Sequence, residues 1–225
     1  MSPSFINTLY LAIAFLALFA SAEWLYHIKS IDAEITRKYV HLVTGLLTML
    51  FPPLIGNHWL VLALCGSFLI ILIASQVWKL LPAINAVDRV TRGSFLYPVI
   101  VYSCYLIYAN YNQYIFYYIP ILVLAIADPV AALLGKKWCW RPYTVLGQTK
   151  TLCGSLGFVV VAFLTCALLL INLESFTSYQ VLLVSTSVAL VTVFAEALTH
   201  NGWDNLTIPT GAVVALITLK EFTII

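Results

Sequence analysis

Acidic and amide side chains gather in one short stretch of an otherwise apolar chain. Residues 194–211 read FAEALTHNGWDNLTIPTG and place Glu196, Asp204 and Asn205 between two apolar runs. A further acid, Asp128, stands far upstream in AIADPVAALLGKKW. Carboxylate and amide oxygens suit a hard cation, and Mg²⁺ is often shared with substrate phosphates. These four residues are therefore the predicted metal ligands.

Basic and small residues that could hold phosphate occur in three other stretches, EITRKYVHLVTG, LLGKKW and TKTLCGSLG. Arginine and lysine bind phosphate through charge-assisted hydrogen bonds. Glycines let backbone amides approach an anion at a helix N-terminus, although close helix packing would explain them equally well. The predicted phosphate-binding residues are Arg37, Lys38, Gly135, Lys136, Lys150, Gly154 and Ser155.

These groups would suffice for phosphoryl transfer, which depends mainly on positioning and on neutralisation of charge. A base for an attacking hydroxyl could be His41, Asp128 or Glu196, and the residues leave this choice open. His41 shares a helix face with Arg37, four residues earlier. The chain has neither GxxxxGK[ST] nor a protein-kinase catalytic loop, which excludes those nucleotide-binding folds.

Structural roles compete with these functional ones. Asp128 followed by Pro129 resembles a helix cap that would break a membrane span and start a new helix. Asp204 or Asn205 could likewise cap the last helix. An acid in an apolar helical turn is costly unless it is paired or functional.

Glu196 is that acid, and its purely structural role would be an ion pair. The predicted partners are Arg37, Lys38 and His200, of which His200 follows Glu196 by one helical turn.

The composition indicates an integral membrane protein. Of 225 residues, 62% are hydrophobic and 9% charged, with a mean hydropathy of +0.99; soluble domains average about 45–50% apolar and about 25% charged. Nucleic acid is excluded as a partner because no basic stripe or tail is present. Five cysteines without metal-like spacing are expected to be small buried hydrophobes.

The predicted fold is all-α, a polytopic membrane helix bundle with seven to eight transmembrane helices. Because a span needs about 20 mostly apolar residues, the candidates are 4–22, 40–56, 58–78, 94–110, 114–134, 152–172, 180–199 and 206–222. The last carries Pro209 and Gly211 and is expected to be broken or re-entrant. Residues 1–225 form one membrane domain, with an extra N-terminal helix (1–22) and a core (34–222).

The distribution of basic residues predicts the orientation. Ten of the eleven lie in alternate linkers, which places those linkers and all the polar motifs on the cytoplasmic face, with both termini outside. FASAEW resembles a cleavage site, but residues 1–22 lack a basic residue, so the first span is expected to be retained. The tyrosines around 97–118 are interpreted as an interfacial belt.

Four motifs carry a family resemblance: RKxxH at 37–41, ADxxAxxxGKKW at 127–138, GxTKTLxGSLG at 147–157, and EAL with DNLTIP between 196 and 209. Together they resemble the CTP-dependent polyprenol kinases, which include dolichol, phytol and farnesol kinases, and are similar to membrane phosphatidate cytidylyltransferases. The resemblance implies CTP as donor, a divalent cation such as Mg²⁺, and a membrane lipid alcohol as acceptor, with the region from Asp128 to Gly154 binding CTP. The family usually carries an acid where this chain has Cys153.

The leading hypothesis is therefore a CTP-dependent lipid-alcohol kinase acting on a polyprenol, phytol, farnesol or diacylglycerol. The alternative is a cytidylyltransferase, because the same groups would serve attack at a different phosphorus. A non-catalytic transporter or scaffold is a remote third possibility, since transporters place their polar groups near the midplane, often in repeats that this chain lacks.

Overall fold

The computed structural model describes residues 2–78, 80–85, 93–173, 175–199 and 202–225. Lys79, Arg89 and Arg92, which contributed to the predicted orientation, and His200 lie outside these ranges. The elements within them are α1 (Pro3–His27), α2 (Ala33–Thr48), α3 (Phe51–Leu54), α4 (His58–Val77), α5 (Pro82–Asn85), α6 (Gly93–Tyr111), α7 (Ile115–Leu122), a π-helical turn (Val123–Ala127), α8 (Asp128–Lys137), β1 (Pro142–Val145), β2 (Gln148–Thr151), α9 (Leu152–Leu173), α10 (Ser178–Ala197) and α11 (Asp204–Glu221).

The all-α prediction is confirmed apart from one two-stranded hairpin. Five helices are long and apolar enough to cross a membrane: α1, α4, the continuous helix from Ile115 to Lys137, α9 and α10. The other three predicted spans correspond to α2 with α3, to α6 and to α11. A total of seven or eight spans stays a prediction.

The fifth predicted span is not broken at Asp128, so that expectation is wrong. The helix continues from α7 through the π turn into α8, and no side chain caps α8. Asp128 itself has helical dihedrals, with φ −63° and ψ −51°. The wider π turn adds a residue, which accommodates the missing N–H of Pro129 without ending the helix.

The last helix is also unbroken, which corrects the second expected interruption. α11 runs from Asp204 to Glu221 with Pro209 inside it, and Trp203 precedes it without a side-chain cap. A proline costs one backbone hydrogen bond. Packing of α11 against α6, α7 and α10 maintains the helix despite that loss.

The interior holds three of the five cysteines as predicted: Cys65, Cys104 and Cys166 are buried. The prediction is wrong for Cys139, which is exposed in the segment between α8 and β1, and Cys153 is only partly buried.

The interpretation of the tyrosines as an interfacial belt is wrong for several of them. Tyr97, Tyr105 and Tyr117 are 6%, 3% and 0% exposed. They face inward because α6 packs against α4 and α7, with the rings of Tyr105 and Tyr117 edge to face at 5.9 Å.

Glycines set the closest approaches between helices. A Cβ on Gly45 of α2 would lie 2.2 Å from the Cβ of Ala125 in the π turn, and one on Gly154 of α9 would lie 2.9 Å from the carbonyl oxygen of Ala131 in α8. Small residues at such crossings let helix backbones approach closely. They hold α2 and α9 against the continuous helix that carries Asp128.

We expect Gly45→Ala to destabilise the protein by roughly 1–3 kcal/mol, since the alanine methyl of the π turn cannot rotate away. Gly66→Ala on α4 is the matched control because its Cβ would meet nothing within 4 Å. Thermal unfolding of both variants in detergent measures the difference. Equal midpoints would show that the α2 crossing tolerates a wider separation.

Candidate active site

The twelve predicted site residues line one cavity of about 510 Å³. They come from α2, α8, β2, α9, α10 and α11, and thus from four stretches distant in sequence. The structure brings these four stretches together around one cavity, and their placement on one membrane face stays a prediction. The residues are Arg37, Lys38, His41, Asp128, Gly135, Lys136, Lys150, Gly154, Ser155, Glu196, Asp204 and Asn205.

An ion pair between Lys150 and Glu196 joins the hairpin to α10. Lys150 Nζ donates to Glu196 Oε1 and also to the Glu196 backbone carbonyl, at 2.8 Å. The two side chains are 20% and 9% exposed. The predicted partners Arg37 and Lys38 are wrong, because the hairpin brings Lys150 to the last turn of α10 and Lys38 pairs with Glu34 instead.

Among the buried polar atoms of cavity-lining residues that lack a hydrogen-bond partner within the described residues, two belong to charged side chains: Arg37 Nε and Glu196 Oε2. Buried polar atoms are nearly always paired, so such orphans need an explanation. One is a cationic donor and the other a carboxylate oxygen. A ligand carrying both an anionic group and a cation would satisfy both.

The π turn orients His41. His41 Nε2 donates to the Leu124 carbonyl at 3.2 Å, and the ring lies edge to face against Tyr97 at 5.3 Å. A proton on Nε2 leaves Nδ1 as the basic nitrogen of the neutral ring. The geometry therefore provides a base with a defined tautomer.

The carboxylate of Asp128 interacts electrostatically with four charged groups of the site: Asp204, Glu196, Lys150 and Arg37. Asp204 Oδ1 accepts a hydrogen bond from the backbone N–H of Asn205 at 3.0 Å. Asn205 Nδ2 donates to the Gly93 carbonyl at 2.8 Å, which ties the start of α11 to the start of α6. This use of its nitrogen leaves Asn205 Oδ1 as the side-chain atom suited to a cation.

Glu34 belongs to the cavity wall and was missed by the sequence-based selection. It pairs with Lys38 and with Lys136, each at 3.4 Å, and so links α2 to α8. Partial burial acts to raise the pKa of Glu34, but the charges of the two lysines outweigh it and lower the pKa below its usual value. The spacing of Glu34 and Lys38, one helical turn apart, was the signal that could have identified it.

The hairpin was not predicted from the sequence, where residues 135–151 lie between the predicted spans 114–134 and 152–172. Leu146 and Gly147 have φ of 48° and 78°, which is typical of the tight turn that suits a two-residue hairpin. Tyr143 faces Lys150 in the register and its hydroxyl lies 2.6 Å from Ser155 Oγ. Strand pairing with Tyr143, and the contact of Tyr143 with Ser155, thus hold the strand that carries Lys150.

The glycines and Ser155 have structural partners as well as places in the cavity wall. The amide of Gly154 donates to Thr151 Oγ1 at 3.1 Å, which caps α9. A Cβ on Gly135 would lie 2.8 Å from the same hydroxyl oxygen. Close packing is therefore established for this pair, and phosphate contact stays a prediction.

Comparison with known proteins gives one informative match. The chain is 32% identical over 197 residues to the phytol kinase of Synechocystis sp., an alignment that covers 87% of this chain and 84% of that protein. The chain belongs to the phytol kinase family. No family model matches the sequence, and no solved structure matches the chain.

For this family the structure allows a test of the predicted metal ligands. Within the described part of the chain, no three His, Cys, Asp or Glu side chains form a ready-made metal cage. Mg²⁺, however, is usually held by one or two carboxylates together with substrate phosphates. The electrostatic interaction of Asp128 with both Asp204 and Glu196, and the unpartnered oxygen of Glu196, fit a cation of that kind.

We expect Lys150→Met and Glu196→Gln each to lower the free energy of unfolding by roughly 1–3 kcal/mol, because each leaves a buried polar partner unsatisfied. The double variant should lose less than the sum of the two. Thermal unfolding in detergent measures all three, and Lys137→Met, at an exposed lysine, is the control. Strictly additive losses would show that the pair contributes no coupling.

Proposed function

We propose that the protein transfers the γ-phosphoryl group of CTP to the hydroxyl of a membrane isoprenoid alcohol. The observation that carries this proposal is the single cavity in which cationic groups, a cluster of acids and an apolar extension meet. A phosphate donor and a lipid acceptor could bind there side by side. The similarity to a phytol kinase supports the same reaction class.

In this proposal the basic residues hold the triphosphate. Arg37 Nε, which has no partner among the described residues, would donate to a phosphate oxygen. Lys150, Lys136 and Lys38 line the same wall and would neutralise the remaining charge.

In this proposal the acidic side chains would bind Mg²⁺, and either an acid or His41 would accept the proton of the alcohol. Asp128, Asp204, Asn205 and the free oxygen of Glu196 would hold the cation, which when bound neutralises charge on the transferred phosphoryl group. The alcohol oxygen attacks the γ-phosphorus, the bond from that phosphorus to the β–γ bridging oxygen breaks, and CDP leaves. The alcohol proton goes to His41 Nδ1 or to the Asp128 carboxylate; Glu196 is the weaker candidate because Lys150 already occupies one of its oxygens.

The site would face the cytoplasm, where CTP is found. This placement rests on the distribution of basic residues, since the cavity lies at the bundle end that carries Arg37, Lys136 and Lys150.

The deciding experiment uses purified protein in detergent with Mg²⁺, phytol, farnesol, a long polyprenol, diacylglycerol and phosphatidate. CTP is labelled on the γ-phosphate in one arm and on the α-phosphate in the other, with ATP as the control donor. Lipid that acquires only the γ-label supports the kinase. Lipid that acquires the α-label would establish a cytidylyltransferase, and no transfer from either position would contradict both enzymes.

We expect Asp128→Asn to reduce γ-phosphoryl transfer by about 100-fold or more, since it removes a charge needed for both the cation and proton transfer. Asp32→Asn is the matched control, because Asp32 caps α2 outside the cavity and asparagine caps equally well. Thermal unfolding confirms that both variants are folded. Turnover near that of the unmodified protein in Asp128→Asn would remove Asp128 from the mechanism.

A further inference from the structure

The cavity extends beyond the polar site into an apolar chamber. Past His41, the cavity-lining face of α2 carries Thr44 and Thr48. From His41 to Thr48 the chamber reaches about 10 Å along the helix, given the helical rise per residue. We call this space the acceptor chamber; its walls include Phe15, Phe51, Cys65, Phe68 and Val101.

The far end of the acceptor chamber closes on packed aromatic rings. Phe15 of α1 contacts Phe51 of α3 at 6.0 Å and Phe68 of α4 at 5.0 Å between ring centroids. All three are buried, and Phe51 is only 2% exposed. An apolar cavity of this kind does not hold water well and favours an apolar ligand.

The rim between the chamber and the polar site carries a tyrosine with no assigned role. Tyr97 is 6% exposed, it lines the cavity, and its hydroxyl has no hydrogen-bond partner within the described ranges. The neighbouring Thr48 hydroxyl donates instead to the Gly45 carbonyl at 2.8 Å. Since the ring of Tyr97 also contacts His41, an oxygen bound at Tyr97 would lie beside the candidate base.

We propose that the acceptor chamber holds a single isoprenoid chain, with the alcohol oxygen accepting a hydrogen bond from Tyr97. This inference rests on the proposed function and specifies its acceptor. The whole cavity, about 510 Å³, is the size of a site for one small ligand, roughly 300–1,000 Å³, and the nucleotide phosphates share it. We therefore expect one chain to enter the chamber and the two chains of diacylglycerol to bind less well, with the aromatic rings limiting the length of the enclosed chain.

The first test narrows the chamber. Cys65→Phe should raise the KM for phytol about tenfold or more, and by a larger factor than the KM for a short alcohol such as geraniol or the KM for CTP. Ile70→Phe, at an exposed position of the same helix, is the control. Phe15→Ala acts in the opposite direction and should shift preference toward longer alcohols. Unchanged ratios between the alcohols in both chamber variants would overturn the proposal.

The second test concerns Tyr97. Tyr97→Phe should raise the KM for phytol about five- to tenfold, the loss expected for one buried hydrogen bond, without changing the KM for CTP. Tyr102→Phe on the same helix is the control, because Tyr102 does not line the cavity and its hydroxyl lies 3.5 Å from His58 Nδ1. An unchanged KM for phytol, or an equal rise for CTP, would overturn the role of Tyr97.

A third measurement separates this proposal from the reaction itself. A photoactivatable isoprenoid alcohol is crosslinked to the protein without nucleotide, and the labelled peptides are mapped. Labelling of the peptides around Cys65 and Val101, competed by phytol but not by diacylglycerol, supports the chamber even if no phosphate is transferred. Labelling confined to the outer surfaces of the helices, with phosphoryl transfer intact, would sink the chamber and leave the kinase.

Discussion

The arrangement of the site depends on one constraint: charged groups at the end of an apolar bundle must be paired. A lysine and a glutamate that are largely removed from water are tolerable only together. Lys150 reaches Glu196 because the hairpin folds back over α9, and the Tyr143–Ser155 contact holds that hairpin. The remaining carboxylate oxygen of Glu196, a cavity-lining residue, is buried without a partner among the described residues. Pairing thus fixes the fold of this end and also leaves an atom available for a ligand.

The π turn connects α2 and α8 to the same site. Its extra residue allows the helix to pass Pro129 unbroken, and its Leu124 carbonyl accepts from His41 on α2. Gly45 permits α2 to lie directly against this turn. The π turn therefore both holds His41 through its Leu124 carbonyl and leads directly into Asp128 at the start of α8.

The helices and the convergence of the motifs could be predicted from the sequence, because apolar run length and the placement of basic residues are strong signals in a bilayer. The hairpin could not, since its strands are four residues each and carry no long apolar run. The partner of Glu196 was missed with it, as Lys150 was assigned only to phosphate. The acceptor chamber was invisible for another reason: Phe15 is buried in its wall while the adjacent Leu16 is half exposed, yet both are simply apolar in the sequence.

Cys153 illustrates how the fold changes the meaning of a departure from a family pattern. The resembling family usually carries an acid where this chain has Cys153, and an acid there could pair with Lys150 or bind the metal. In the structure, Glu196 supplies a carboxylate to Lys150 from α10, and its second oxygen has no partner among the described residues. An acid at position 153 would lie in the first turn of α9, three residues after Lys150. Lys150 is thus paired with a carboxylate that does not come from position 153, so the cysteine does not leave this lysine without a partner.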